Sequence, residues 1–172
     1  MVGPLLSGQV EDLEIRCAAA SDLSLVSEAL LEAASWLKKR GIPLWDADSL
    51  SVSRLENQIE DAGFWMFFRG GELAGILKFQ LEDRLYWPDS QCGEAAYVHK
   101  LVVRRAFSGE ALSSKMLRWA VEKCGELGRP YLRLDCEASR DQLRRIYEHF
   151  GFRRVDDIDL DGRVMARFQL EI

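Results

Sequence analysis

The chain has 172 residues, 48% of them apolar and 30% charged, and a net charge of −5. That length supports one well-buried core and is short for two, and the composition is that of a globular protein, not a disordered or fibrous one. No stretch approaches a membrane-spanning helix, no basic stripe with interleaved aromatics marks a nucleic-acid surface, and the first ten residues lack the basic start and long apolar core of a signal peptide.

In chain order, residues 1–10 read as a loose tail. Leu13 to Cys17 reads as a first strand. Ser21 or Asp22 caps a helix in which Leu23, Val26, Leu30, Ala33 and Leu37 share a face. Lys38, Lys39 and Arg40 crowd its last turn, where positive charge is favoured, and Gly41 ends it. Trp36 and Trp45 bracket the turn that follows. A second, short helix over 53–62 buries Leu55 and Ile59. An aromatic strand, Phe64 to Arg69, turns through Gly70-Gly71 into Leu73 to Phe79. Gly75 within that partner strand marks a bulge or a close approach of another backbone. The long loop beyond it carries Leu85-Tyr86-Trp87-Pro88-Asp89. Its aromatics suit stacking on an amine as well as plugging the end of a sheet.

Ala95 to Val103 is a short apolar run suited to a buried strand. It leads through Arg104 to Ala111 into a helix whose face holds Leu112, Met116, Leu117, Ala120, Val121 and Cys124. A turn that opens a helix offers unpaired N–H groups and the positive end of the helix dipole, a seat for a phosphate or pyrophosphate. Tyr131 to Cys136 is the next strand. Ser139 with Gln142 reads as a capping box for a helix that aligns Leu143, Ile146, Tyr147 and Phe150, and Gly151 follows as its C′ glycine. Arg153 to Leu160 and Arg163 to Ile172 flank Asp161-Gly162, a hairpin signal. Val164, Ala166, Phe168, Leu170 and Ile172 alternate with Met165, Arg167, Gln169 and Glu171, which predicts one buried and one wet face.

Cys17, Cys92, Cys124 and Cys136 have no pairing pattern and read as reduced thiols of a cytoplasmic protein. Cys136 ends a strand, where packing is favoured over a nucleophilic role. With only His99 and His149, no metal cluster is expected.

The order strand, turn, helix, strand, helix over 95–152, with Tyr147 four residues before Gly151-Phe152, resembles the bacterial-type GNAT superfamily, the Gcn5-related N-acetyltransferases. The resemblance covers about two thirds of the chain, residues 64–172. It implies an α/β (mixed α+β) acyl-CoA N-acyltransferase fold: a central mixed, twisted sheet with helices on both faces, one domain over 1–172. By resemblance, the strand Tyr97 to Val103 holds the pantetheine arm of acetyl-CoA through its backbone, and it splays from Tyr131 to Cys136 to leave a cleft for the thioester. This assigns Leu101, Val102, Val103 and Arg104 to the cofactor. The family's pyrophosphate turn falls on Ser108, Gly109, Glu110, Ala111, Leu112 and Ser113. Ser108 stands where Arg or Gln is usual, and Ala111 and Ser113 stand where small glycines usually sit. Small side chains still let a phosphate approach the backbone, and Glu110 is expected to point outward. Ser139 lies near where the family has Asn, and Tyr147 occupies the position that points at the CoA sulfur.

The implied reaction is attack of a primary amine on a thioester. A free alkylammonium has a pKa of about 10, so a base must take a proton. Glu94 and His99 are the candidates; a solvated carboxylate and a satisfied sheet histidine are their structural readings. Backbone N–H groups near Leu101 are placed to stabilise the oxyanion. Tyr147 is placed to protonate or hydrogen-bond the departing thiolate, whose parent thiol has a pKa of about 8.5. Arg104 and Arg105 are candidates for pairing with CoA phosphates. The expected partner is a small-molecule or peptide amine, with neither nucleic acid nor membrane, and the sheet edges leave a homodimer open. The departures in the turn keep a second class in view: a non-catalytic GNAT-like domain that binds CoA or a protein.

Overall fold

A computed structural model of the protein describes residues 9–10, 12–60, 63–109 and 111–172. They divide into two compact units, one formed by residues up to 78 together with 100–116, the other by 79–99 together with 117–172.

The first unit is built on β1 (Gln9–Val10), β2 (Leu13–Cys17), α1 (Leu23–Lys39), α2 (Val52–Glu60), β3 (Phe64–Arg69) and most of β4 (Glu72–Gln80). β1 to β4 pair antiparallel in chain order. Gln9 and Val10 pair with Glu14 and Leu13, so the last two residues of the expected tail are strand. Residues 1–8 of that tail lie outside the described residues. Val26 and Leu30 of α1 and Leu55 of α2 are buried against Met66 and Ile76 of the strands, as the helical spacing predicts. No side chain caps α1. Asp22 instead turns back to accept bonds from the Arg16 guanidinium, at 2.6 and 2.8 Å, and from the Ala19 N–H at 2.8 Å. A guanidinium fork outbids a backbone cap for one carboxylate.

Gly70 and Gly71 both take positive φ, +57° and +81°, as a two-residue hairpin requires. Gly75 proves to be both things its position suggested. The β3–β4 register slips beside it, from Phe67–Gly75 to Phe68–Leu73. A Cβ added to it would lie 2.8 Å from the Val102 carbonyl oxygen and 2.9 Å from Met116 Sδ. Gly75→Ala is therefore expected to destabilise the fold by about 2 kcal/mol, read as a lower urea midpoint at unchanged slope.

The second unit holds the end of β4, a loop over 81–94, the start of β5 (Ala95–Val103), most of α3 (Leu112–Glu126), β6 (Tyr131–Glu137), α4 (Asp141–Phe150), β7 (Arg153–Leu160) and β8 (Arg163–Glu171). Its strand order is β5-β6-β8-β7, with β5 and β6 parallel and the other pairs antiparallel. Asp161 and Gly162 form the predicted hairpin at φ +52° and +85°.

Three local expectations fail here. The Ser139–Gln142 capping box does not form: α4 starts at Asp141 behind Arg140, with no side-chain cap, and Ser139 contributes only its carbonyl, to the Asp141 N–H. Ile146 is 43% exposed, so α4 buries a narrower face centred on Tyr147. β8 does not alternate. Met165, Ala166, Arg167 and Phe168 are all buried and Val164 is exposed, because the loop over 81–94 covers the second face. Arg167 reaches Asp89 at 2.6 Å, Asp156 at 2.6 Å and the Tyr86 carbonyl at 3.2 Å. Among the described residues no helix is long and apolar enough to cross a membrane.

Candidate active site

In the first unit β5 kinks at Lys100, whose φ is +47°. A positive φ is costly for a long side chain, so the kink is imposed by its surroundings. The Lys100 ammonium lies 5.1 Å from the Trp45 ring centroid. Burial, aided by the charge of Lys78, lowers its pKa to about 8. Val102 is buried, while Leu101 and Val103 are half-buried. Arg104 is held by Glu32 at 2.9 Å and Glu28 at 2.8 Å, and the Arg105 guanidinium lies over Trp36 at 4.2 Å. A short 3-10 turn, Arg105–Phe107, then leads to the exposed Ser108 and to Gly109 at φ +90°, with nothing within 4 Å of where a Cβ would stand. Glu110 lies outside the described residues. Ala111, at φ +53°, accepts the N–H groups of Ser114 and Lys115. Leu112 and Ser113 therefore open α3 with the N–H groups that a helix cannot satisfy internally.

In the second unit the parallel ladder runs from Ala95–Tyr131 to Val98–Leu134 and ends there. The next residue of each strand is His99 and Asp135. His99 Nδ1 is 3.4 Å from Asp135 Oδ1, and its Nε2 is 2.9 Å from Asp83 Oδ2. The Tyr86 ring packs on the imidazole, centroids 5.5 Å apart. Asp83 is fixed by the N–H groups of Leu85 and Tyr86, at 3.1 and 3.0 Å, both bonded to its Oδ1. Burial pushes its carboxyl up, but the imidazole and these two N–H groups outweigh burial and hold it below the ordinary range. Burial raises Asp135 to about 6, opposed by His99 and reinforced by the charge of Asp83.

The histidine count of the sequence did not bring out this cluster, whose three side chains each offer a ligand atom within 4.8 Å of the others. A neutral imidazole binds an ion through one free ring nitrogen. Here each nitrogen faces a carboxylate, which suits proton exchange between the ring and either one.

Glu94 accepts bonds from Arg133 at 3.0 and 3.1 Å, from the Ser90 hydroxyl at 3.0 Å and from the Gln91 N–H at 3.0 Å. Arg133 above all, with the Gln91 N–H, lowers its pKa, which makes it a reluctant proton acceptor. Tyr147 is buried, with Phe168 and Phe152 edge-on at 5.8 and 6.1 Å, and its hydroxyl has no hydrogen-bond partner among the described residues. Cys136 is buried, and burial raises its thiol to about 11, so it stays protonated and packs. Ser139 is exposed. Trp87 is buried against Tyr97 and fills the sheet end, so of the loop aromatics it is Tyr86 that meets the histidine.

A model of the acetyltransferase (GNAT) family matches residues 26–152. The chain belongs to the GNAT acetyltransferase family. This GNAT protein is similar to an uncharacterized N-acetyltransferase of Bacillus subtilis (strain 168), YesJ, at 28% identity over 141 residues and 78% of each chain. It is also similar to a GNAT-family acetyltransferase of Listeria monocytogenes 4b F2365, at 28% identity and TM-score 0.77, over 97% of this chain and 100% of that one. The crystal structure of aminoglycoside acetyltransferase AAC(6')-Ib with coenzyme A and kanamycin shares the fold, at 15% identity and TM-score 0.73, over 92% and 94% of the two chains. The GNAT protein is thus an acyl-CoA-dependent N-acetyltransferase with the mixed α/β fold of that family.

Sequence reasoning named His99, Tyr147 and, among the loop aromatics, Tyr86, and missed Asp83 and Asp135. Asp83 sits in the run Glu82-Asp83-Arg84, which reads as a solvated loop. The signal for Asp135 was present: a carboxylate inside the apolar run Tyr131-Leu132-Arg133-Leu134-Asp135-Cys136.

Proposed function

We propose that this protein is a single-domain enzyme that moves an acetyl group from acetyl-CoA to a primary amine of a small molecule or peptide, by direct attack in a ternary complex. The observation that carries the reading is the end of the β5–β6 ladder at Val98–Leu134, after which His99 and Asp135 are the first residues of the two strands no longer paired with each other. The turn after β5 fits a diphosphate. Its side chains at Ser108, Gly109, Ala111 and Ser113 are small, Gly109 has open space on its Cβ side, and the first N–H groups of α3 follow directly. Gly109, Ala111, Leu112 and Ser113 are the residues assigned to it, with Leu101 to Val103 along the pantetheine arm. Bound acetyl-CoA supplies the acyl thioester. Arg104, committed to Glu28 and Glu32, holds β5 to α1 and is a weaker candidate for phosphate than its position suggested.

His99 is the proton-accepting centre, oriented by Asp83 at Nε2 and faced by Asp135 at Nδ1. Glu94, bound to Arg133, has a structural role in this reading. Tyr147 donates a hydrogen bond to the sulfur as it departs. Four free thiols suit a reducing compartment, and we assign the enzyme to the cytoplasm.

The test is thiol release from acetyl-CoA over a panel of primary amines, beside calorimetric titration with CoA. Amine-dependent release together with saturable CoA binding is expected. Flat titrations with CoA and acetyl-CoA would sink the assignment, and tight binding without release on any amine would leave only a binding module.

A further inference from the structure

Asp135 has only 6% of its side chain exposed, and Oδ1 is buried without a hydrogen-bond donor. Its other oxygen likewise accepts no hydrogen bond from any described residue. A buried carboxylate that lacks donors is costly, by about 1–3 kcal/mol for a neutral polar group and more for a charged one. The groups around it do not relieve this. Asp83 adds negative charge from the loop, and Tyr86, Cys136 and Tyr147 are neutral. Arg167 stands opposite Asp135 on β8, but its guanidinium is committed to Asp89 and Asp156. Among the described residues the imidazole of His99 is the one basic group paired with it.

The imidazole is also the limiting piece. It has two nitrogens, and both already face carboxylates. Each nitrogen of His99 thus already has a carboxylate beside it, and Asp135 has acceptor capacity to spare. A carboxylate in want of a donor, beside an imidazole flanked by carboxylates, suits an alkylammonium.

We propose that Asp135 is a catalytic residue: its carboxylate receives the ammonium of the acceptor and, together with His99, takes the proton that the ammonium must lose before it attacks. The inference rests on the acetyl-transfer reading. The N–C bond forms and the C–S bond breaks. The first proton passes from the ammonium to the Asp135–His99 pair and on to water; the electron pair leaves with sulfur, and the second N–H proton goes to the thiolate, leaving amide and free thiol. Asp83 is a positioning residue that fixes the imidazole from the far side. With Asp135 near 6, the pair gains its acceptor form as pH rises through that value, so acetylation of an alkylamine is expected to climb there.

The experiment compares wild type and Asp135→Asn on two acceptors: a simple alkylamine, cationic at pH 7.5, and trifluoroethylamine, which is neutral there. The expected result is a fall in kcat/KM of at least about tenfold on the alkylamine, less than about threefold on the fluorinated amine, which has no proton to lose before attack, and unchanged CoA affinity by calorimetry. Equal losses on both amines, or no loss on either, would overturn the proposal. Should Asp135→Asn fail to bind CoA, the wild-type pH profile decides: an acid limb near 6 for the alkylamine that is absent for the fluorinated one, once the latter's rates are referred to its neutral form, supports Asp135, and profiles that match on that basis overturn it. Saturable CoA binding without wild-type release on either amine would instead remove the acetyl-transfer reading, and this inference with it.

Discussion

Replacing Tyr147 by Phe is expected to lower turnover about a hundredfold while leaving acetyl-CoA affinity within about twofold. The ring is already held by Phe152 and Phe168 edge-on, and Phe keeps those contacts, so the fold should not change. What disappears is a hydroxyl with no hydrogen-bond partner among the described residues. Burial above all, with the charge of Asp135 against an opposing Arg140, holds the phenol well above its ordinary pKa. The group therefore keeps its proton across any workable pH and acts by donating a hydrogen bond to sulfur rather than by surrendering the proton outright. The loss should accordingly be the same at pH 6 and pH 9. Steady-state kinetics with a calorimetric acetyl-CoA titration would check this, and unchanged turnover would reduce Tyr147 to a core aromatic.

Gly109→Val is expected to weaken CoA binding about thirtyfold, the equivalent of about 2 kcal/mol. Nothing lies within 4 Å of the new Cβ, so the penalty is not a clash. It comes from φ +90°, which a β-branched residue does not adopt without strain. The turn must then rearrange, and the N–H groups ahead of α3 lose their aim. Calorimetry reads the affinity and thermal melting reads the fold. Undiminished affinity with an intact melt would show that the diphosphate sits elsewhere.

Those two residues could be proposed from the sequence because their signals are local. A Tyr four residues ahead of Gly-Phe, a glycine between a strand and a helix, and two hairpins of Gly-Gly and Asp-Gly all depend on a few neighbours. Both hairpins and the limits of β3 and β5 agree with the expectation for the same reason. The capping box at Ser139 had the right spacing and still failed, since Arg140 donates its N–H to Glu137 and delays the helix. Asp135 meets His99 across 36 positions of chain, and Asp83 meets it across 16, by contacts that exist only once β6 lies beside β5. No periodicity encodes such a meeting. Arg167 looked like a wet-face residue for the same reason, because its cover comes from Tyr86 and Asp89, far back in the chain.

The guanidiniums of Arg133 and Arg167 lie over the Trp87 ring at 4.6 and 4.5 Å, and their carboxylate partners Glu94 and Asp89 belong to the same loop. That segment is riveted rather than hinged. Asp83 and Tyr86 ride on it, so the imidazole keeps its orientation from one catalytic cycle to the next with no reorganisation to repeat. The loop that carries Asp83 and Tyr86 is thus a standing wall beside the imidazole rather than a flap.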